Sequence, residues 1–144
     1  MSVEIKFKAM IIDASADSAA HLRSLLLQVG IEVVEWARNG IGWVQSWSEA
    51  KTDLVIVDYV LPGKDGLFVV EKIAQADPGC GLIFMHSFEG WVANQIEIKA
   101  YARGAGACFQ KPVSELRFQY MADRIATQPS KKRAPTKVKM PSSK

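Results

Sequence analysis

Short apolar runs alternate along the chain with longer segments whose apolar residues recur at helical spacing. Five runs predict buried strands, at residues 8–13, 31–34, 54–57, 82–85 and 107–109. Each run is followed by a segment that predicts an amphipathic helix, at residues 18–28, 41–50, 67–74, 91–103 and 116–127. The pattern therefore predicts five strand–helix units in sequence.

The third apolar run indicates how the strands are covered. Residues 54–57 show no polar alternation, which is typical of a strand buried on both faces in a parallel sheet. Five strand–helix units favour helices on both faces of such a sheet, and right-handed crossovers favour a doubly wound arrangement. The predicted fold class is α/β, with a doubly wound five-stranded parallel sheet.

Several chemically reactive side chains follow the predicted strands. In a doubly wound sheet, a site forms where the carboxyl ends of the strands meet. This rule brings the residues that end the first, third, fourth and fifth strands to one edge: Asp13, Asp58, His86 with Ser87, and Lys111. Asp58 is followed directly by a Pro/Gly-rich loop, which is typical of a strand end that builds a site.

Carboxylates at a strand edge suit a hard divalent cation such as Mg²⁺, which takes oxygen ligands and usually keeps several waters. Asp13 and Asp58 could supply two oxygens, and a backbone carbonyl just past Asp58 could supply a third. Lys111 adds a positive charge, so a phosphoryl group between the metal and the ammonium would be neutralised on both sides. Asp58 could then accept phosphate covalently, and a hydroxyl at Ser87 could bond the phosphoryl oxygens.

Charge divides the 144 residues into an acidic domain and a basic tail. Residues 1–123 hold all 15 acidic residues and 11 of the 18 Lys and Arg, and residues 124–144 hold the other seven. Residues 128–144 are rich in proline and basic residues and are predicted to be disordered. We favour a solubilising role for this tail, with nucleic acid as the weaker alternative partner.

The sequence offers no membrane or metal-thiolate signal. No apolar run approaches the length of a membrane span, and the first ten residues lack the features of a signal peptide. We therefore expect a soluble, cytoplasmic protein without a membrane partner. Cys80 and Cys108 have neither zinc-type nor redox-type spacing, so they are predicted to be reduced thiols.

Three motifs together resemble the receiver domains of two-component response regulators, in particular the single-domain chemotaxis type. They are IIDAS at residues 11–15, IVDYVLPGKDGL at 56–67 and RGAGACFQKPV at 103–113. Each motif is weak alone, but the combination is specific. The resemblance covers residues 8–127, implies a flavodoxin-like (βα)5 sandwich, and predicts a receiver domain at residues 1–127.

The resemblance also implies roles for individual residues. Asp58 matches the phosphoacceptor, and Lys111 matches the lysine that contacts the phosphoryl group. Asp13 matches the first of two adjacent acids at the Mg²⁺ site, and Val60 matches the position whose backbone carbonyl is a metal ligand. The implied chemistry is self-catalysed phosphorylation of the aspartate at most, so we do not expect an enzyme.

Three positions depart from the family pattern. Ala14 replaces the second acid, commonly the direct metal ligand, so Mg²⁺ binding is expected to be weakened. In the family, a small hydroxyl residue stands at the position of His86 and acts as a switch when the receiver is phosphorylated. A Tyr or Phe stands at the position of Cys108 and couples that switch to the surface. His86 could be a switch or simply an exposed imidazole, and Ser87 could supply the missing hydroxyl from the opposite face of the strand.

The leading hypothesis is a stand-alone receiver that accepts phosphate at Asp58 from a histidine kinase or phosphotransfer protein and signals to a downstream protein. The alternative, favoured by Ala14, is a degenerate receiver that acts as a phosphorylation-independent interaction module. In the family, the fourth helix, fifth strand and fifth helix form the usual output or dimer surface, so a homodimer could form there. Trp91 is a contact candidate, whereas Trp43 and Trp47 are expected in the core.

Overall fold

The computed structural model describes residues 3–127, in which strands and helices alternate. The strands are β1 (Phe7–Ile12), β2 (Ile31–Ala37), β3 (Leu54–Asp58), β4 (Gly81–His86) and β5 (Ala107–Gln110). The helices are α1 (Ala16–Leu27), α2 (Val44–Ala50), α3 (Gly66–Ala76), α4 (Gly90–Arg103) and α5 (Glu115–Thr127). The five predicted strand–helix units are confirmed, and the predicted tail at 128–144 lies outside the described residues.

The strands pair in parallel in the order β2-β1-β3-β4-β5. The chain reverses its direction of travel across the sheet between β1 and β3, and such a switch point opens a crevice at the carboxyl edge. Ile12 pairs with Val57 in the β1–β3 ladder, so Asp13 and Asp58 occupy adjacent strand ends. The predicted doubly wound, flavodoxin-like sandwich is therefore confirmed.

Two apolar layers cover the sheet. Leu26 of α1 and Phe118 of α5 pack on one face, and Trp43, Trp47 and Val70 lie in the layer on the other face. Every residue of β3 is buried, as its lack of polar alternation predicts. No helix within residues 3–127 combines the length and the apolar character needed to cross a membrane.

The second helix begins at Val44 rather than at the predicted residue 41. The side-chain oxygen of Asn39 accepts hydrogen bonds from the backbone N–H groups of Ile41 and Gly42, both at 2.8 Å. These bonds hold a tight turn where the helix was expected, because Asn side chains compete with helical backbone bonding. As a result Ile41, which was predicted to begin the helix, lies in the turn and is 64% exposed.

Candidate functional site

Lys111 lies between the two carboxylates that the sequence predicted at the strand edge. Its ammonium Nζ is 2.9 Å from Asp13 Oδ2 and 2.9 Å from Asp58 Oδ1. The side chains of Asp13 and Asp58 are largely buried, and that of Lys111 is 20% exposed. The structure therefore brings together three residues predicted for the site, delivered by β1, β3 and β5.

Asp13 is fixed from two sides. Its Oδ1 accepts from the backbone N–H of Ser15 at 2.9 Å, and its Oδ2 accepts from the Ser18 hydroxyl at 2.7 Å. Ser15 also caps α1, because its hydroxyl accepts from the backbone N–H of Ser18. From β2, the indole N–H of Trp36 donates to the backbone carbonyl of Asp13 at 2.8 Å. Asp13 is thus held rigidly at the edge of the sheet.

Opposing electrostatic effects act on the pKa of Asp58. Burial raises the pKa of Asp58 above its ordinary value, because desolvation penalises the charged carboxylate. The hydrogen bond and positive charge of Lys111 oppose this rise, the charge of Asp13 adds to it, and the backbone N–H of Val60 lowers the pKa. Burial acts to lower the pKa of Lys111, but its two carboxylate partners outweigh burial and raise it.

The oxygen donors at this edge fit Mg²⁺ with a reduced set of protein ligands. Asp13, Asp58 and the backbone carbonyl of Val60 could hold the ion, with water completing its shell. Ala14 has only a methyl side chain, so this edge has one carboxylate fewer than the family pattern. Across residues 3–127, no three His, Cys, Asp or Glu side chains cluster as metal ligands. An ion held here would have two side-chain carboxylates among its ligands, and water would supply most of the remainder.

The loop that follows β3 is braced by the loop that follows β2. The backbone N–H of Gly40 donates to the carbonyl of Pro62 at 2.9 Å, and the carbonyl of Gly40 accepts from the indole N–H of Trp43 at 3.0 Å. A Cβ atom on Gly40 would lie 1.9 Å from the carbonyl oxygen of Lys64, so only glycine fits at this position. The brace fixes the loop that begins at Asp58.

His86 is buried, which corrects the alternative of an exposed imidazole. Its side chain is 0% exposed, because α4 and neighbouring aromatic rings cover the end of β4. Its Nε2 lies 2.6 Å from Oε2 of Glu97 in α4, and its Nδ1 accepts from the backbone N–H of Phe88 at 3.0 Å. Ser87, the next residue, is exposed, in agreement with its opposite orientation along the strand.

Cys108 lies on β5 beside α4, and its side chain is partly buried. Its backbone N–H donates to the phenolic oxygen of Tyr101 at 3.2 Å. Burial, with a smaller contribution from the negative charge of Glu97, raises the pKa of the Cys108 thiol to about 12. The thiol is therefore protonated at neutral pH and suits packing rather than reaction. Cys80 and Cys108 form no disulfide in the part of the chain that the structure describes, in agreement with the predicted reduced thiols.

The partners of the predicted site residues were missed by sequence reasoning. Ser15 and Ser18 hold Asp13, and a serine just before an apolar helical pattern is a capping signal that could have indicated this role. Glu97 and Tyr101 are four residues apart and therefore share one face of α4. That spacing alone does not identify the strand residues that this face meets.

Residues 9–123 match the response regulator receiver domain family. The chain is 30% identical over 118 residues to the chemotaxis protein CheY of Bacillus subtilis strain 168, covering 82% of this chain and 90% of that protein. It is 28% identical over 115 residues to protein-glutamate methylesterase/protein-glutamine glutaminase 5 of Myxococcus xanthus, covering 79% of this chain. The chain spans only 32% of the length of that methylesterase.

Solved structures share the fold. The response regulator domain of Thermotoga maritima CheB aligns with a TM-score of 0.74 and 22% identity, covering 86% of this chain and 97% of that domain. CheY in a CheX–CheY–BeF3–Mg²⁺ complex from Borrelia burgdorferi aligns with a TM-score of 0.74 and 20% identity, covering 83% and 88% of the two chains.

The family match places the chain among proteins of one general kind. Receiver domains are generally signalling domains rather than enzymes, and they generally bind Mg²⁺ at an acidic pocket. They interact with histidine kinases and with downstream targets. On its motifs, its fold and its match over residues 9–123, this chain belongs to the response regulator receiver domain family and is of the chemotaxis type.

Proposed function

We propose that this receiver accepts a phosphoryl group at Asp58 from a histidine kinase or a phosphotransfer protein and then signals through protein contacts. The proposal is carried by one observation, the ammonium of Lys111 at 2.9 Å from both Asp58 and Asp13. A cation fixed beside a carboxylate nucleophile is suited to stabilise the negative charge of a phosphoryl group during transfer.

The chain's own side chains supply the nucleophile and one positive charge. A carboxylate oxygen of Asp58 attacks phosphorus, and the bond from phosphorus to the donor imidazole nitrogen breaks, with the electron pair remaining on nitrogen. Lys111 contacts the phosphoryl oxygens, while the backbone N–H of Val60 orients the carboxylate. Mg²⁺, when held by Asp13, Asp58 and the Val60 carbonyl, supplies additional positive charge to the phosphoryl oxygens.

Acetyl phosphate in the presence of Mg²⁺ tests the phosphoacceptor. The wild type should gain the mass of one phosphoryl group, and Asp58→Asn should gain none, because a neutral amide is not a competent nucleophile. Asp17→Asn removes an exposed acid from the first turn of α1 and should label like the wild type. If wild type and Asp58→Asn are labelled equally at saturating acetyl phosphate, phosphorylation at Asp58 is refuted. The alternative of a phosphorylation-independent interaction module would then be preferred.

Restoring the missing acid tests the metal site. Ala14→Asp should tighten Mg²⁺ binding about tenfold, because a carboxylate replaces a water in the ion's shell. Ala14→Asn introduces a side chain with the shape of aspartate but no charge, and it should tighten Mg²⁺ binding much less. Tryptophan fluorescence can follow the Mg²⁺ titration, since the Trp36 indole is hydrogen-bonded to the backbone carbonyl of Asp13. Equal affinities for wild type and Ala14→Asp would show that residue 14 does not face the ion.

The proposed output surface is the face formed by α4, β5 and α5. Exposed apolar side chains on α4 support a protein contact there: Trp91, Ile98 and Tyr101. The partner is a downstream target protein, with a second copy of this chain as the other occupant of the same face. A cytoplasmic location, a solubilising role for the tail and its weaker nucleic-acid role stay predictions.

A further inference from the structure

We propose that His86 and Glu97 form a permanent tether between β4 and α4, and that His86 is therefore a positioning residue rather than a ligand of the phosphoryl group. The tether itself depends only on the hydrogen bonds of the folded chain. Its meaning for signalling, that α4 keeps one position whether or not Asp58 is modified, rests on the proposed function.

The hydrogen bonds of the imidazole define its tautomer. A backbone N–H can only donate, so the bond from Phe88 N–H at 3.0 Å requires an unprotonated Nδ1 on His86. The ring proton of the neutral imidazole therefore lies on Nε2, which donates to Oε2 of Glu97 at 2.6 Å. Both ring nitrogens of His86 are thus occupied by partners other than Asp58.

Packing holds the imidazole in this orientation. The His86 side chain is 0% exposed and stacks on Phe88, with ring centroids 6.0 Å apart and an interplanar angle of 22°. Phe84 lies on the same face of the strand, with its ring centroid 6.3 Å from that of His86. Turning the ring toward Asp58 would break both hydrogen bonds and leave polar atoms without partners in a buried position.

The tether is connected to Lys111, the residue that follows β5. The backbone N–H of Lys111 donates to the carbonyl of His86 at 2.7 Å, just beyond the last β4–β5 pair, His86 with Gln110. On α4, Tyr101 lies one turn after Glu97 and accepts from the backbone N–H of Cys108 on β5. One face of α4 is therefore bonded to both strands next to the candidate site.

These contacts determine how α4 can respond. A shift of α4 along the sheet must lengthen the Glu97 and Tyr101 bonds together, and the first of them would leave a buried imidazole N–H unpaired. The exposed residues Trp91 and Ile98 are carried by the same helix, so the tether also holds the apolar surface of α4 in place. The outward face of α4 is consequently the same in the unmodified and the modified receiver. A change on the proposed output surface after modification of Asp58 must therefore come from β5 and α5, the two elements that flank Lys111.

The tautomer can be measured directly in the wild-type protein. The chain contains two histidines, so long-range ¹H–¹⁵N spectra of the imidazoles show two rings, which His21→Gln assigns. His86 should show a protonated Nε2 and an unprotonated Nδ1, both without ligands and with Mg²⁺ and beryllofluoride. A change in the protonated nitrogen of His86 on beryllofluoride binding, absent from Asp58→Asn, would overturn the proposal.

Hydrogen exchange tests the tether on α4. Glu97→Ala should raise amide exchange across residues 90–103 about tenfold, because the helix loses its bond to β4. Glu97→Gln keeps an oxygen acceptor for Nε2 and should exchange nearly as slowly as the wild type. Lys99→Ala, an exposed change on the same helix, is the control. Equal exchange in Glu97→Ala and Lys99→Ala would disprove the tether.

These results separate the tether from the proposed function. If the wild type takes up neither beryllofluoride nor phosphate, phosphorylation at Asp58 is refuted, while the resting tautomer and the exchange rates still decide whether the tether exists. If labelling at Asp58 succeeds and the resting His86 ring carries its proton on Nδ1, the tether alone is refuted.

Discussion

Lys111→Met should destabilise the folded protein by about 2–3 kcal/mol at neutral pH and slow its phosphorylation by acetyl phosphate about 100-fold. The substitution leaves Asp13 and Asp58 side by side without the cation that lies 2.9 Å from each. Breaking a fully buried ion pair costs about 3–5 kcal/mol, and the loss is smaller here because Lys111 retains contact with solvent. The rate falls because the transferring phosphoryl group loses a fixed positive charge.

The loss of stability should depend on pH, with a sign that follows from Asp58. Burial raises the pKa of Asp58 and Lys111 opposes the rise, so the pKa is higher still in the variant. The folded variant therefore takes up a proton at higher pH than the wild type, and its stability increases as pH falls toward the ordinary aspartate pKa. The two proteins should also converge above the raised pKa of Lys111, where the wild type loses its cation.

Urea denaturation of both proteins between about pH 4 and pH 8 measures this dependence. Lys99→Met removes an exposed lysine from α4 and should show no comparable loss at any pH in that range. If the free energy of unfolding of Lys111→Met is below that of the wild type by the same amount at both ends of the pH range, the loss of stability is not electrostatic. Such a result would assign the loss to packing of the lysine stem.

The residues at the centre of the site were predictable because they end strands. Asp13, Asp58 and Lys111 each follow an apolar run, and parallel strands bring their carboxyl ends to one edge whatever the helices do. Ile12 pairs with Val57, so the residues that follow them, Asp13 and Asp58, must lie side by side once the order of the strands is known. The fold and the position of Asp58 beside Asp13 and Lys111 therefore followed from periodicity and from the resemblance together.

The orientation of His86 was not predictable in the same way. Its burial depends on how α4 lies across the sheet, and helical periodicity gives the buried face of a helix without giving its contacts. Glu97 reaches His86 from eleven residues further along the chain, across a loop of unpredicted shape. The late start of α2 has a local cause of the same kind, since the Asn39 side chain replaces the first helical bonds.

Contacts between loops were equally hidden in the sequence. Asn39-Gly40 is a dipeptide typical of turns, and glycine is often required in turns for a positive φ. The positive-φ glycines are Gly30, Gly63, Gly90 and Gly104, so conformational freedom does not explain Gly40. The requirement at Gly40 is space, because the loop after β3 passes directly against it. A requirement of this kind arises only when two distant loops are folded together.

Gly40→Ala should destabilise the protein by about 3 kcal/mol and weaken both Mg²⁺ binding and phosphorylation. The new Cβ would lie 1.9 Å from the carbonyl oxygen and 2.8 Å from the carbonyl carbon of Lys64, and backbone atoms cannot rotate out of its way. The two loops must therefore separate, which breaks the 2.9 Å bond from Gly40 N–H to Pro62. The displaced loop carries Val60, whose N–H orients Asp58, so the damage reaches the site.

Gly42→Ala is the matched control for Gly40→Ala in the same loop. A Cβ on Gly42 would approach nothing closer than the Asn39 side-chain oxygen at 3.7 Å, an ordinary contact. Its free energy of unfolding should stay within about 0.5 kcal/mol of the wild type, and its Mg²⁺ titration should be unchanged. If Gly40→Ala matches Gly42→Ala in urea denaturation and in metal binding, the brace is not what positions the loop. If Gly40→Ala loses stability but keeps its metal affinity, the brace stabilises the fold without reaching Asp58.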